Sequence, residues 1–270
     1  MIDYTGKVVL ITGGAQGFGA EFGKAFASLG AAVVLGDINS EQGEKTASEI
    51  AASGASCFFT PLDVRSESDW AKVTEYCVSK CGGLDVVINN AGIEVSQLFV
   101  DLTSEASRNL LDINLLGVML GIKHAFLAMK PDGLSGHGGT ILNLASVAGV
   151  TSTPALAAYS ASKAGVISLT KLAATEAGAF DYGVRANCLC PSLFKTAMGY
   201  QLLDEFVDLG LGESVDNVQE DLIARIPVGR FGELSDVVNA ALFLCSDAAS
   251  FINGASFRLM VVCRQRGDAL

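Results

Sequence analysis

A tyrosine and a lysine stand four residues apart in this sequence, at Tyr159 and Lys163. In a helix, that spacing places both side chains on the same face, one turn apart. A tyrosine hydroxyl has an ordinary pKa near 10, and a cation about 4 Å away stabilises its ionised form by roughly 4 kcal/mol at an effective dielectric of about 20. The pair therefore predicts a tyrosine whose pKa is lowered toward neutral pH, so that it can act as an acid or a base. When the motif is taken alone, an accidental pair on a helix is the alternative.

A glycine-rich segment follows the first apolar run and reads T-G-x-x-x-G-x-G from Thr12 to Gly19. Glycines allow the backbone to turn sharply and to approach a pyrophosphate, whose charge is met by free N–H groups and the positive end of the following helix. The segment therefore predicts a dinucleotide site. A simple tight turn is the alternative, and the position between a strand and a helix argues against it.

Asp37 ends the second predicted strand, eighteen residues after Gly19. An acidic side chain at this position accepts hydrogen bonds from the adenosine ribose hydroxyls, and it repels a 2′-phosphate. The nearby Gln16 and Ile38 carry no positive charge that would attract that phosphate. We therefore expect NAD rather than NADP, and the alternative is that Asp37 only caps the next turn.

Two further polar segments follow predicted strands, Asp63-Val64 after the third and Asn89-Asn90-Ala91-Gly92 after the fourth. Ligands of open α/β sheets bind at the carboxyl ends of the strands. We therefore expect Asp63 to bind the adenine amino group and Asn90 to lie in the same site. Ordinary turn chemistry explains either segment equally well when it is taken alone, since Asp and Asn are common turn residues.

The motifs T-G-x-x-x-G-x-G, N-N-A-G and Y-x-x-x-K together make the sequence resemble the short-chain dehydrogenase/reductase family, from Lys7 to about Gly254. The resemblance implies hydride transfer between a nicotinamide and an alcohol or ketone. It also implies that Ser146 hydrogen bonds to the substrate oxygen and that Tyr159 takes the alcohol proton during oxidation. Lys163 would then lower the pKa of Tyr159 and bind the nicotinamide ribose.

Asn114 lies in the apolar stretch Leu110–Met129, where an unpaired amide would cost several kcal/mol, so it should have a fixed partner. The family resemblance implies that it holds a water in a proton relay to solvent, and a bond to local backbone is the alternative.

Family members usually continue the sixth strand into Pro-Gly, where this chain has Pro191-Ser192. The resemblance assigns the nicotinamide carboxamide to Thr196.

The predicted site residues form three overlapping groups. The catalytic residues are expected to be Asn114, Ser146, Tyr159 and Lys163. The residues expected to bind the cofactor are Gly13, Gln16, Gly17, Phe18, Gly19, Asp37, Ile38, Asp63, Val64, Asn90, Tyr159, Lys163 and Thr196. The residues expected to contact the substrate are Ser146, Leu156, Tyr159 and Phe194.

Short β-branched runs alternate with longer amphipathic stretches, which is typical of β-α-β units. The sequence predicts an α/β fold: a single doubly wound, Rossmann-type domain over residues 1–270, with a parallel sheet of about seven strands and helices on both faces. Helix starts are expected at Ser40, Ser66 and Ser235. The irregular segment 192–228 is expected to be a substrate lid within this domain. The predicted strands are Val8–Thr12, Ala32–Gly36, Ser56–Pro61, Val86–Asn89, Gly139–Ala145, Val184–Cys190 and Ser256–Val262.

The composition excludes several other classes of protein. The 270-residue chain has a formal net charge of −11, which argues against binding to nucleic acid and favours solubility. Its seven cysteines are odd in number and scattered, unlike a secreted disulfide framework. The N-terminus does not read as a signal peptide, and polar residues interrupt Leu110–Met129. We therefore expect a cytoplasmic protein that does not bind membranes.

Neither metal chemistry nor serine hydrolysis is favoured. A zinc site needs four convergent ligands, and only His124 and His137 could join the cysteines. No G-x-S-x-G motif surrounds Ser146.

Small residues beside Tyr159 would permit close helix packing, and the family resemblance implies a homotetramer or homodimer. The C-terminal stretch Arg258–Arg264 departs from the Val-Asp-Gly-Gly that is frequent in the family, so its oligomer contacts are not predicted.

The sequence therefore favours an NAD-dependent enzyme that interconverts a mainly hydrophobic secondary alcohol and its ketone. Apolar residues expected near the nicotinamide, such as Val95, Val147 and Met198, suit such a substrate. A 3-ketoacyl or hydroxyacyl thioester dehydrogenase of the same family is one alternative, and it would need a basic entrance, for which Lys195 alone is available. A non-catalytic NAD(H)-sensing protein is the other, and it would have no need of the four catalytic residues.

Overall fold

The computed structural model describes residues 2–259, and these form a sheet of seven parallel strands. The strands are β1 Val8–Thr12, β2 Ala32–Asp37, β3 Cys57–Pro61, β4 Val86–Asn89, β5 Gly139–Leu144, β6 Val184–Pro191 and β7 Ser256–Leu259. They lie in the order β3-β2-β1-β4-β5-β6-β7. The expected parallel, doubly wound sheet is confirmed, and residues 260–262 of the last predicted strand lie outside the described residues.

Strand β1 illustrates why these segments form the centre of the molecule. All five of its residues are buried, because both faces of the sheet are covered. Val8 and Leu10 contact one apolar core, and Val9 and Ile11 contact the other. This alternation follows from the two-residue repeat of a strand. The high apolar content of the chain is therefore needed to fill two core layers.

Helices cover the two faces of the sheet. In the described part of the chain they are α1 Gly17–Ser28, α2 Ser40–Ala51, α3 Glu67–Tyr76, α4 Ser104–Leu111, α5 Gly117–Met129, α6 Ala157–Ala179, α7 Ala197–Asp208, α8 Val215–Ala224 and α9 Leu234–Cys245. Helices α1, α2 and α9 close one core. Helices α3, α5 and α6 close the other. The predicted arrangement of helices on both faces is thus confirmed.

The beginnings of three helices test the capping residues that the sequence suggested. Ser66 caps α3 as expected. Asn39 rather than Ser40 caps α2, and Glu233 rather than Ser235 caps α9. In both cases a side chain one or two residues earlier already accepts a hydrogen bond from the free N–H groups of the first turn.

Helices α4 and α5 are joined by a π-helical turn, Asp112–Leu116. The joined helix, Ser104–Met129, is long and apolar enough to cross a membrane, with a mean hydropathy of 1.5 over an 18-residue window. In this fold, Val118 and Ala125 are instead buried in the core between the sheet and α6. Packing within the protein therefore explains part of the apolar composition of this helix.

Two features of the topology determine where a ligand can bind. Strand β1 lies between β2 and β4, which is the switch point where open α/β sheets form a crevice. The segment 192–228, which contains α7 and α8, follows β6. The backbone joins its two ends, because Gly232 donates its N–H to the carbonyl oxygen of Leu193 at 3.0 Å and accepts from the N–H of Lys195 at 3.2 Å.

Candidate active site

A cavity of about 530 Å³ opens at the carboxyl ends of the parallel strands. Its walls come from the loops that follow β1 to β6 and from the segment 192–228. All the predicted site residues line the cavity except Gly19 and Asn114, which support its wall from behind. Segments that the sequence singled out separately therefore meet in one place.

The glycine-rich loop brings bare backbone to one end of this cavity. Gly13 and Gly17 adopt left-handed conformations, with φ of +64° and +57°. A Cβ at Gly19 would lie 2.0 Å from the carbonyl oxygen of Gly13, so no side chain fits there. Gln16 stands at the start of α1 without a side-chain hydrogen bond to the first turn. The N–H groups of this helix are thus available to an anionic ligand.

The N-N-A-G segment fixes the shape of the glycine-rich loop. The side-chain amide of Asn90 donates to the carbonyl oxygens of Thr12 and Gly13, at 2.9 and 3.1 Å. The hydroxyl of Thr12 accepts hydrogen bonds from the backbone N–H groups of Asn90 and Ala91, both at 3.0 Å. Asn90 therefore acts first as a brace between the loops after β1 and β4, which the sequence did not indicate.

Asp37 lies at the end of β2 and lines the same end of the cavity. Its carboxylate accepts hydrogen bonds from the backbone N–H groups of Ala15 and Asn39, both at 3.0 Å. The proposed ribose-binding role and the alternative of a turn cap are therefore compatible, because each carboxylate oxygen can accept more than one hydrogen bond. Ile38 beside it is 73% exposed.

Ser146, Tyr159 and Lys163 meet at the middle of the cavity. Tyr159 and Lys163 lie on α6 as the spacing predicted, with the lysine Nζ 5.6 Å from the centre of the tyrosine ring. Lys163 is buried and donates a hydrogen bond to the carbonyl oxygen of Leu144 at 2.8 Å. The hydroxyl of Ser146 accepts from the N–H of Ala148 at 3.1 Å. Lys163 is thus held by the end of β5, and Ser146 by the turn that follows it.

Asn114 has the fixed partner that its burial required. Its Oδ1 accepts from the backbone N–H of Ile93 at 2.9 Å, and its Nδ2 donates to the carbonyl oxygen of Ile93 at 2.8 Å. A longer contact of 3.4 Å joins Nδ2 to the hydroxyl of Ser162 on α6. The partner backbone is 21 residues away in the chain, so the alternative of a local backbone bond is wrong. Asn114 ties the loop after β4 to the π-helical turn.

Comparisons with known proteins agree with this arrangement. A family model described as enoyl-(acyl carrier protein) reductase matches residues 13–259. The 2,5-dichloro-2,5-cyclohexadiene-1,4-diol dehydrogenase of Sphingobium indicum is 35% identical over 94% of this chain and 96% of its own. The NADP-dependent (R)-specific alcohol dehydrogenase of Lentilactobacillus kefiri is 34% identical over 93% and 94%. The crystal structure of NAD⁺-bound xylitol dehydrogenase superimposes with a TM-score of 0.90 at 27% identity, covering 96% of this chain and 99% of that one.

The chain belongs to the short-chain dehydrogenase/reductase family. The family model and both relatives span nearly the whole chain, as the motifs suggested. The expected class of enzyme, an oxidoreductase that acts on CH–OH groups, is confirmed with it.

The lowering of the pKa of Tyr159 that we expected from Lys163 is wrong for this structure. Desolvation raises the pKa of Tyr159 to about 12; a hydrogen bond with Ser146 opposes the increase, and the carboxyl of Glu94 adds to it. Burial also lowers the pKa of Lys163 to about 8. The ammonium group directs its hydrogen bond to Leu144, so the loss of hydration outweighs its attraction for a phenolate. At neutral pH this site holds Tyr159 as a phenol.

The other end of the cavity is largely apolar. Leu156 lines it as predicted, and Met198, Leu202, Phe206 and Ile226 join it from the segment 192–228. Phe194 also reaches the cavity, but its ring packs edge-to-face against Phe18 of the glycine-rich loop, with centroids 5.1 Å apart. Phe194 therefore packs the start of the segment 192–228 against the glycine-rich loop, closer to the cofactor end than its expected substrate role implied.

Glu94 is the lining residue that the sequence interpretation missed. It lies two residues after Gly92 and is only 9% exposed. Burial, with a contribution from Glu205 of α7, raises the pKa of the Glu94 carboxyl to about 7. The signal that was available was an acid directly after the N-N-A-G motif, at the carboxyl end of a strand. Because a glutamate in a loop is usually exposed, this position alone does not predict a buried carboxyl.

Arg65 is a second lining residue that we did not anticipate. Its guanidinium holds the carboxylate of Asp63 through hydrogen bonds of 2.7 to 3.1 Å, and this pairing lowers the pKa of Asp63. A further bond joins it to the side-chain oxygen of Asn109 at 3.1 Å. The positive charge of Arg65 at this end of the cavity is therefore balanced by Asp63.

Metal chemistry finds no support in residues 2–259. No cluster of three or more His, Cys, Asp or Glu side chains in that range could hold a metal ion. The cysteines of the same range are free thiols: Cys57, Cys77, Cys81, Cys188, Cys190 and Cys245.

Proposed function

We propose that this chain is an NAD-dependent dehydrogenase that interconverts a mainly hydrophobic secondary alcohol and its ketone, with Tyr159 as the acid/base. The observation that best supports the proposal is a single cavity whose two ends are lined by chemically different groups. Bare backbone and the carboxylate of Asp37 line one end, apolar side chains line the other, and Ser146, Tyr159 and Lys163 lie between them.

The residues at the first end fit a dinucleotide. A Cβ at Gly13 would lie 2.9 Å from the Cα of Ala91, so this turn can pack against the loop after β4 only because it carries no side chain. The uncapped start of α1 would hold the pyrophosphate. Asp37 would hold the adenosine ribose, with Ile38, Asp63 and Val64 around the adenine. Lys163 would hold the nicotinamide ribose, and Thr196 the carboxamide.

The choice of NAD over NADP rests on the charges at this end. The L. kefiri relative is NADP-dependent by name, and the xylitol dehydrogenase structure contains NAD⁺. In this chain, Asp37 would repel a 2′-phosphate, and Arg65, the cation nearest to Asp63, is already neutralised by it. Neither Gln16 nor Ile38 supplies a compensating charge. These residues support NAD.

The chemistry of the centre follows from where its protons lie. When bound, the nicotinamide supplies or accepts the hydride, and its oxidised ring adds a positive charge. During reduction, Tyr159 donates its phenol proton to the ketone oxygen and is left as a phenolate. During oxidation, Tyr159 must first release that proton toward solvent, and the resulting phenolate then takes the alcohol proton. Ser146 positions the substrate oxygen by a hydrogen bond. Lys163 and Asn114 hold the surrounding backbone. With a bound water, they would also relay the proton of Tyr159 toward solvent.

The segment 192–228 acts as the lid of this site. Its apolar residues form the wall of the substrate end, which supports a hydrophobic substrate. Thr196 begins α7 as its N-cap, accepting from the N–H of Gly199 at 3.1 Å, so the lid helix starts at the cofactor. The thioester alternative has little support, because Lys195 forms an ion pair with Glu233 at 2.6 Å.

The chain is also assigned to a homodimer or homotetramer in the cytoplasm. Apolar side chains are exposed on α5, the π-helical turn and α6: Leu116, Met119, Leu127 and Leu172. A second copy of this chain would cover them, since apolar patches of this kind mark protein–protein interfaces. The free thiols of the described cysteines support a reducing compartment.

The decisive experiment follows NADH absorbance while secondary alcohols and ketones are offered, with NADP(H) in parallel. Tyr159→Phe should lower turnover by about 100-fold to 10,000-fold and leave NAD binding intact. Tyr76→Phe, on α3 outside the cavity, is the matched control. A Tyr159→Phe enzyme with more than a tenth of the wild-type rate would remove Tyr159 from its role. Tight NADH binding with no turnover on any substrate would favour the sensor alternative instead.

A further inference from the structure

The carboxyl of Glu94 is nine-tenths buried beside the cavity, and its two oxygens have unequal surroundings. Oε1 accepts a hydrogen bond from the hydroxyl of Ser96 at 2.9 Å. Oε2 is buried, and no donor among the described residues reaches it. A buried carboxylate oxygen without a donor is costly, because it has lost the water that would solvate its charge. The position therefore favours a carboxyl that carries its own proton on Oε2.

An acceptor for that proton comes from the lid. Glu205 of α7 is the neighbouring carboxyl: its Oε2 accepts from the backbone N–H of Ser96 at 3.1 Å, and its Oε1 accepts from the side chain of Gln201 at 2.6 Å. Ser96 thus holds one carboxyl with its hydroxyl and the other with its backbone. The pKa values respond in opposite directions to the contact between the acids, which raises that of Glu94 and lowers that of Glu205.

We infer that Glu94 is a positioning residue, which in its neutral form donates a hydrogen bond to Glu205 and thereby holds helix α7 over the substrate end of the site. This inference rests on the proposed function for the meaning of the substrate end. The contact joins the loop after β4, which Asn114 already fixes through Ile93, to the lid. It thus connects a fixed part of the site to a segment whose two ends are held together by the backbone bonds of Gly232 with Leu193 and Lys195.

Two titratable groups act on Glu94 from the elements packed around it. Glu205 comes from α7, and Tyr159 comes from α6. Neither supplies a positive charge, so ionisation of Glu94 would place two carboxylates against each other and a new anion near Tyr159. Because Glu94 has a raised pKa of about 7, it keeps its proton below that pH and loses it above. The contact should therefore weaken as the pH rises through about 7.

Glu94→Gln separates this role from a merely structural one, because the amide is neutral at every pH and can still donate to Glu205. In each protein, the KM for a secondary alcohol at about pH 9 is divided by the KM at about pH 6. This ratio should be about fivefold to tenfold higher in the wild type than in Glu94→Gln. The Kd for NAD should change equally in both proteins. Glu49→Gln, an exposed acid on α2, should keep the wild-type profile. Parallel KM profiles in wild type and Glu94→Gln would overturn the inference.

A second measurement does not require turnover. Above about pH 7, amide hydrogen exchange in Ala197–Asp208 of the wild type should accelerate with pH more steeply than the intrinsic chemical exchange rate does. In Glu94→Gln, exchange in the same helix should show only the intrinsic pH dependence. Equal pH dependence of exchange in both proteins would also overturn the inference. A protein that shows the exchange difference but oxidises no alcohol would contradict the proposed function and leave the role of Glu94 supported.

Discussion

At the scale of single residues, the glycine-rich loop leaves the least freedom for change. The side-chain hydrogen of Gly19 faces the carbonyl oxygen of Gly13, and Nδ2 of Asn90, which braces the loop, would lie 2.9 Å from a Cβ at Gly19. The atoms that would collide are backbone and a side chain already held by two hydrogen bonds. Relief of the collision would have to move the N-terminus of α1, which is the part proposed to bind the pyrophosphate.

We expect Gly19→Ala to weaken NAD binding by at least about tenfold, because the loop must shift by roughly 1 Å or more to admit the methyl group. Gly178→Ala is the matched control, since it also lies in a helix and has no atom within 4 Å of the added Cβ. That change should stabilise the protein by up to about 1 kcal/mol through helix propensity. Isothermal titration with NAD and thermal unfolding measure the two effects, and equal NAD affinity in both variants would contradict the prediction.

At the scale of elements, the contacts of the π-helical turn between α4 and α5 explain why the helix widens there. The wider turn carries Asn114, which is fully buried and holds both polar groups of the Ile93 backbone. A π-helical turn is rare and is found mainly where a helix serves a functional site. Here it supports the loop that carries Glu94 and Ser96 to the cavity.

Asn114→Ala should leave the N–H and carbonyl of Ile93 without partners and should lower the free energy of unfolding by about 2 to 4 kcal/mol. The exposed Asn109→Ala, which gives up only a surface bond to Arg65, should change it by less than about 0.5 kcal/mol. Urea unfolding compares the two variants. A similar loss of unfolding free energy in both variants would mean that the two hydrogen bonds between Asn114 and the Ile93 backbone contribute little to stability.

The elements were predictable from the sequence where local chemistry determines them. Strand positions followed from apolar runs that end in Asp37 or Asn89, and α6 followed from the spacing of Tyr159 and Lys163. The environment of each side chain was not predictable, because it depends on residues far away in the chain. Glu94 reads as an ordinary loop acid until α7 is known to bring Glu205 to it, and the pKa of Tyr159 depends on burial that no motif reports.

At the scale of the whole molecule, the exposed apolar side chains on α5 and α6 are the main unexplained surface. Leu172 is 58% exposed on α6, and a groove between α5 and α6 beside it is lined by Met119, Leu127 and Tyr182. This groove shares no lining residue with the cavity. This arrangement suits a contact between copies that leaves the site open.

Leu172→Glu should dissociate the proposed oligomer, because it would bury a carboxylate in the apolar contact between copies. Light scattering after size-exclusion chromatography should give the mass of a smaller species than the wild type. Phe251→Glu, an equally apolar and fully exposed position on another surface, is the control and should leave the mass unchanged. A monomeric wild type would contradict the proposed oligomer directly.

The backbone bonds between Leu193, Lys195 and Gly232 have a consequence for how this enzyme can be changed. They bring the two ends of the lid together at one edge of the sheet, so the chain leaves and returns at nearly the same point. The lid is therefore an exchangeable cassette: another sequence of suitable length could be inserted between these residues without altering the strand order. The glycine-rich loop and Asp37 lie outside it, so substrate preference can diversify as long as Thr196, which lies inside the lid, keeps its place at the cofactor end.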